Sequence, residues 1–162
     1  AAAEYEGPVY IRMGRPKVPV LFDENYTFEI GKGVVLKEGT DVTLVGTGIM
    51  VSKAVEAAEL LAAEGISAAV VNISTIKPLD AGLIIAQAQK TGAIVTCEEH
   101  NIYGGLGSAV AEVLVENCPV PMTRVGVADQ FGESGLPDEL LEKHGLTAAN
   151  IAAQAKAVIA KK

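Results

Sequence analysis

From Val42 to the end of the chain, short runs rich in Val, Ile and Ala alternate with longer segments in which apolar residues recur every three or four positions. This ordering constrains the fold more than any other feature. Strands that are apolar on both faces must be covered on both, and a helix after each strand returns the chain to start the next one in the same direction. Runs 42–45, 68–73, 93–97 and 122–127 read as buried strands. The expected class is therefore α/β, a mostly parallel sheet covered by helices.

The connecting segments carry helix punctuation. Val51, Val55, Ala58 and Ala62 form one stripe, with Ser52, Lys53, Glu56 and Glu59 opposite, so a first helix is expected to bury that stripe and end at Gly65. Asp80 is placed to cap a second helix through Leu83, Ile84 and Ala88 to Gly92, and Leu106, Val110, Val113 and Leu114 mark a third that stops before Pro119. Pro137 followed by Asp138 and Glu139 suits the positive end of a short helix closing at Gly145. Thr147 is placed to cap a last helix carrying Ile151, Ala155 and Val158.

Residues 1–40 differ. Run 9–13 is a short strand candidate followed by Pro16 and Pro19, and apolar runs 28–30 and 34–36 flank Gly31 and Gly33. Residues 1–22 are expected to be the tail of another domain plus a linker, and 23–162 a single domain. The start at Ala1, in an Ala-rich stretch without methionine, suggests a piece of a longer protein.

Charge and cysteine usage narrow the partners. A formal charge of −7, with no block of Lys and Arg, argues against nucleic acid. Charged breaks interrupt every apolar stretch before it reaches the about 18 residues a spanning helix needs. Cys97 and Cys118 show neither CxxC spacing nor a disulfide framework, which fits a reduced, cytoplasmic setting.

Two glycine-rich stretches follow strands. Gly46-Thr47-Gly48 has the first two glycines of a dinucleotide fingerprint, but Val51 stands where the third is needed, and no carboxylate ends the next strand. Gly46 and Gly48 are better read as a tight, close-packed turn. The second stretch is more polar: Glu98, Glu99, His100 and Asn101, then Gly104, Gly105, Gly107 and Ser108, at the carboxyl end of a strand where open α/β sheets form crevices. It is a candidate interface, or a loop whose N–H groups receive an anion. Metal binding by His100 with the two glutamates lacks the usual ligand spacing. Gly132-Glu133-Ser134-Gly135 does not match a nucleophile elbow, and Ser134 reads as a loop or capping residue. Arg12 and Arg15 end the first strand candidate, where guanidinium groups can fork onto a phosphate or stay solvated.

In order, GPVYIRMGRPKVP at 7–19, FEIGKGVVLKEGTDVTLVGTG at 28–48, VVNISTIKPLD at 70–80, VTCEEHNIYGGLGSAVAEVL at 95–114 and VGVADQFGESGLPDELLEKHGLT at 125–147 resemble the carboxyl-terminal part of transketolase, in particular the type split into two subunits. The resemblance covers nearly the whole chain. It implies a three-layer fold with a mostly parallel five-stranded sheet, one strand antiparallel, and helices on both faces. It also implies that 1–22 is the tail of a pyrimidine-binding domain plus linker. The parent enzyme would use thiamine diphosphate and magnesium to move two-carbon ketol units between sugar phosphates, as a homodimer or heterotetramer with an N-terminal transketolase subunit or domain.

The same resemblance implies that this chain binds no cofactor or metal, holds no catalytic residue and is inactive alone. Arg15 resembles the family's substrate-phosphate arginine, and Arg12 matches a basic position in deoxyxylulose-5-phosphate synthases. The arginine segment, MGRP, departs from the Ser-Arg-Gln of full-length transketolases. FGESG favours transketolase over that synthase and over the related 2-oxoacid dehydrogenase beta subunits. From the residues alone, an independent anion- or nucleotide-binding module stays open as an alternative.

Overall fold

The structure, a computed structural model, describes residues 1–15 and 17–162. Pro16, expected to end the arginine segment, lies outside the described residues. The strands β1 (Gly33–Lys37), β2 (Val42–Gly46), β3 (Ala68–Ile73), β4 (Ile94–Asn101) and β5 (Met122–Val127) form one sheet in the order β1-β3-β2-β4-β5. β2 lies parallel to β3 and β4, β4 lies parallel to β5, and β1 runs antiparallel to β3 at the edge. The helices are α1 (Met50–Ala63), α2 (Ala81–Thr91), α3 (Leu106–Asn117), α4 (Pro137–Lys143) and α5 (Ala148–Ile159).

Because side chains alternate along a strand, the two faces of the sheet build two cores. Leu44, Val70 and Val95 pack with Ala54 and Leu61 of α1 and Ile151 and Ala155 of α5. Their neighbours Val45, Val71 and Ile94 pack with Ile84 of α2 and Val110 of α3 on the other side. The expected mostly parallel, three-layer architecture with one antiparallel strand is what the chain forms.

Local punctuation places the helices. Asp80 Oδ1 accepts from Leu83 N at 3.1 Å, Gly92 ends α2 with a left-handed φ of 67°, and Thr147 accepts from Asn150 N. Asp80 does a second thing: its Oδ2 accepts from Gly33 N at 3.2 Å, tying β1 to the start of α2.

Two expectations need correction. The buried face of α1 is Met50, Val51, Ser52, Ala54, Ala57, Ala58 and Leu61, whereas Ala62 is exposed and Val55 half-buried. α1 packs against both the sheet and α5, so its apolar face is wider and rotated. Small alanines let the two helices approach, and Ser52 is tolerated because its hydroxyl donates to Ile49 O at 2.8 Å. Run 9–13 is not a strand among the described residues; Tyr10 and Met13 are 87% and 84% exposed. A strand needs a neighbour for its backbone groups, and none lies alongside among the described residues. Run 28–30 leads into a turn closed by Lys32 N donating to Glu29 O, and regular pairing begins at Gly33.

Candidate functional site at the carboxyl end of the sheet

β4 runs past the expected end of the strand at 97, so Glu98, Glu99, His100 and Asn101 belong to the strand itself. Its register against β5 breaks between Cys97 and Asn101, where Cys97 faces Val125 and Asn101 faces Val127. An irregularity of this kind re-aims side chains at the rim of a sheet. Gly126 makes room for it, since a Cβ there would sit 2.9 Å from His100 O.

Glu98 is 1% exposed and turns inward to the start of α3. Its Oε2 accepts from Leu106 N and its Oε1 from Gly107 N, both at 2.8 Å. A carboxylate there meets two of the four N–H groups a helix leaves unpaired and the positive end of the helix dipole. Gly105 leaves space for it, since a Cβ there would lie 2.0 Å from Glu98 Oε2, and Gly107 leaves space for Arg124, whose Cδ would lie 2.7 Å from a Cβ there. Glu98 thus takes two of the N–H groups at the glycine-rich helix start singled out for an external anion.

The rest of the cluster braces the loop after β4. His100 is exposed, with Nδ1 2.9 Å from Asn101 O. Asn101 donates through Nδ2 to Asp129 Oδ1 at 2.9 Å, and its Oδ1 accepts from Tyr103 N at 2.9 Å. Gly104 N donates to Ser108 Oγ at 2.9 Å. Arg124 donates to Ile102 O at 2.8 Å, and its guanidinium carbon lies 5.5 Å from the Tyr103 ring centroid.

The two arginines of the leading segment are both exposed. Arg12 donates from Nη2 to Glu99 O at 3.1 Å, which ties its side chain to the end of β4. Among the described residues Arg15 has no hydrogen-bond or ion-pair partner. Of the two fingerprint glycines, Gly46 is a packing position, with a Cβ there only 3.0 Å from Val51 Cα, whereas Gly48 has open space around it and a left-handed φ of 57°. Ser134 lies in the loop before α4 and does not cap that helix, whose N-cap is Leu136. Beside it, Glu133 pairs with Lys143 at 2.7 Å and approaches His144 Nε2 at 3.9 Å. The Lys143 hydrogen bond pulls the Glu133 carboxyl below its ordinary value, against a smaller opposing effect of desolvation.

Sequence reasoning passed over Arg124 and Asp129. A charged residue inside a run read as a buried strand, 122–127, was the available signal for Arg124, whereas nothing local marks Asp129, whose φ of 51° belongs to the left-handed region.

Among the described residues, the glycine-rich start of α3 is not an open cradle for a coenzyme diphosphate. The helix start that would receive it is occupied by Glu98, and no group of three or more His, Cys, Asp or Glu among the described residues is placed to hold a metal ion. No helix among the described residues is long and apolar enough to cross a membrane.

Comparison with known proteins supplies the family. Residues 31–151 match the model described as transketolase, C-terminal domain. The 6-deoxy-6-sulfo-D-fructose transketolase subunit SqwH of Clostridium sp. strain MSTE9 is 52% identical over 158 residues, covering 98% of this chain and 49% of that protein. The 1-deoxy-D-xylulose-5-phosphate synthase of Heliobacterium modesticaldum is 49% identical over 158 residues, covering 96% of this chain and 24% of that protein. A solved chain described as a split gene transketolase, inactive beta4 tetramer, superposes with a TM-score of 0.95 at 56% identity, covering 98% of this chain and 52% of its own length. The chain therefore spans about half, or less, of the length of these relatives. With 121 consecutive residues inside the family model, from 31 to 151, and a matching five-stranded sheet, the chain belongs to the transketolase C-terminal domain family.

Proposed function

We propose that this chain is the C-terminal domain, residues 23–162, of a split transketolase, preceded at 1–22 by the tail of a pyrimidine-binding domain and its linker. On this reading the parent enzyme transfers two-carbon ketol units between sugar phosphates in the cytoplasm. Thiamine diphosphate and magnesium supply the carbon–carbon chemistry from sites outside this chain. The domain contributes to assembly with an N-terminal transketolase subunit, as a homodimer or heterotetramer, and to the rim of the active site.

The observation that carries the proposal is the 56% identity to a split gene transketolase chain over 98% of this one. The relative's description as a tetramer of its beta chain supports multi-subunit assembly. Arg15, exposed and unpaired among the described residues, is the group offered to a substrate phosphate, with Arg12 three positions before it. The segment from Glu99 to Ser108, running from the end of β4 to the first turn of α3, is the surface offered to a partner.

A second reading is a domain of a deoxyxylulose-5-phosphate synthase, favoured by the 49% identity to one such enzyme over 96% of this chain. One experiment separates the two. The longer polypeptide carrying this domain is mixed with a thiamine-binding N-terminal subunit, thiamine diphosphate and magnesium. Transfer of a two-carbon unit from a ketose phosphate to an aldose phosphate is expected, with no turnover by the 162-residue chain alone. Condensation of pyruvate with glyceraldehyde 3-phosphate, with release of carbon dioxide, would select the synthase instead.

A further inference from the structure

We infer that Asn101 and Asp129 form a latch between the loops that follow β4 and β5, and that this latch holds Phe131 ready for burial against the domain whose tail is residues 1–22. The identity of that domain rests on the transketolase reading, while the latch itself stands on geometry.

Phe131 is 98% exposed, although the loop that carries it is tied on both sides. Two positions before it, Asp129 Oδ1 accepts from Asn101 Nδ2 at 2.9 Å, and two positions after it, Glu133 Oε2 accepts from Lys143 Nζ at 2.7 Å. Asp129 is also the one non-glycine residue at positive φ among the described residues, and its N–H closes a tight turn onto Val127 O at 2.9 Å. Such a backbone persists only where its surroundings hold it. Asn101 holds it with one side of its amide, while the other side accepts from Tyr103 N at 2.9 Å, so a single side chain fixes both loops. Ordering a loop in this way costs conformational entropy, and here it leaves the phenyl ring in solvent. It does reduce the cost of docking that ring elsewhere, which is how a rigid aromatic side chain anchors an interface.

The leading segment indicates the occupant. Arg12 bonds Glu99 O, two residues before Asn101, so that segment reaches the same rim. The domain to which it belongs is the neighbour on this side, and what it must offer is an apolar pocket for an aromatic ring.

The two ends of the latch are chemically interchangeable, and this supplies the first test. In Asn101→Asp a carboxylate faces Asp129 and repels it, yet still accepts from Tyr103 N. Asp129→Asn keeps the acceptor oxygen and tolerates the same φ. In the double variant the bond is rebuilt in reverse, with residue 129 donating to residue 101. On the 162-residue chain, amide exchange at residue 129 is followed by NMR and corrected for its intrinsic rate. It should accelerate roughly fivefold in Asn101→Asp, the factor that loss of one ordinary hydrogen bond implies, stay unchanged in Asp129→Asn, and return to the parent rate in the double variant. No acceleration in Asn101→Asp, or acceleration that persists in the double variant, would overturn the latch.

The second test uses the absence of tryptophan from this chain. Phe131→Trp should emit as a solvated indole in the 162-residue chain and shift to shorter wavelength in the longer polypeptide, read as the difference between variant and parent spectra. A solvated signal in the longer polypeptide would overturn the anchor. A shift that appears in the 162-residue chain as its concentration rises would overturn the assigned occupant in favour of a second copy. A buried ring in a longer polypeptide without transketolase activity would defeat the activity reading and leave the anchor standing.

Discussion

The carboxylate of Glu98 and the backbone of Gly107 are joined by a 2.8 Å hydrogen bond that, with its twin to Leu106 N, seats an acidic side chain on the amino end of α3. Both partners are buried. Replacing Glu98 by Ala removes the acceptor and leaves two buried donors unpaired, at a cost of about 3 kcal/mol. Replacing it by Gln keeps the shape and one acceptor but points an amide NH2 at an N–H donor, so it should recover only part of that loss. Urea unfolding of the two variants against the parent measures both. Unchanged stability in Glu98→Ala would show that solvent, not Glu98, satisfies the start of α3.

Gly105 gives the same contact a second test. A methyl group there would meet Glu98 Oε2 at 2.0 Å, so Gly105→Ala must displace the carboxylate. In a Glu98→Ala background the obstruction is gone and the same substitution should cost little. The double-mutant cycle should therefore show a coupling of about 1–3 kcal/mol, the range for residues in direct contact. Additive effects would mean that Gly105 is required for its backbone alone.

The helix caps were legible because they are local. Asp80 and Thr147 each bond an N–H three residues on, a spacing that sequence alone presents. The apolar runs and the helical periodicity likewise marked the four parallel strands and the helices that cover them. Glu98 was legible only as a polar residue: its donors lie eight and nine positions away, across a loop whose path sequence does not give. Arg12 and Glu99 meet over 87 positions, and Arg124 reaches Ile102 over 22, through the tertiary fold alone. Run 9–13 failed as a strand for the complementary reason: its composition suits one, but strand formation depends on a partner that none of the described residues supplies.

The loop before α4 should respond to acid and to salt. Glu133 titrates below the ordinary carboxylate value, first because Lys143 donates to it and then through the charges of Lys143 and His144. A depressed folded value means that its contribution to stability is present above the unfolded carboxylate value and is lost as pH falls through the lower folded one. The pair is largely exposed, so the contribution is small and screened by salt. Following the Glu133 carboxyl by NMR, the midpoint should move back up in Lys143→Met and in high salt. A midpoint that ignores both changes would place the cause elsewhere.

The two cysteines should behave as different chemical species. Cys97 is fully buried on β4, and its thiol is pushed far above the ordinary value of 9.0, by burial first and by Glu98 second. Cys118, at the end of α3, is partly exposed. Under native conditions a thiol-disulfide reagent should titrate Cys118 alone, and raising the pH through the ordinary thiol range should not bring Cys97 into reaction, because the reactive species is the thiolate. Both should react in denaturant. The same shift fixes a stability trend: the unfolded chain releases the Cys97 proton near the ordinary value while the folded chain keeps it, so stability should be undiminished below pH 9.0 and decline above it. Cys97→Ala should remove that part of the alkaline decline while costing some packing in the core shared by α1 and α5. Rapid native labelling of Cys97, or an alkaline profile identical in the Ala variant, would contradict the burial from which both expectations follow.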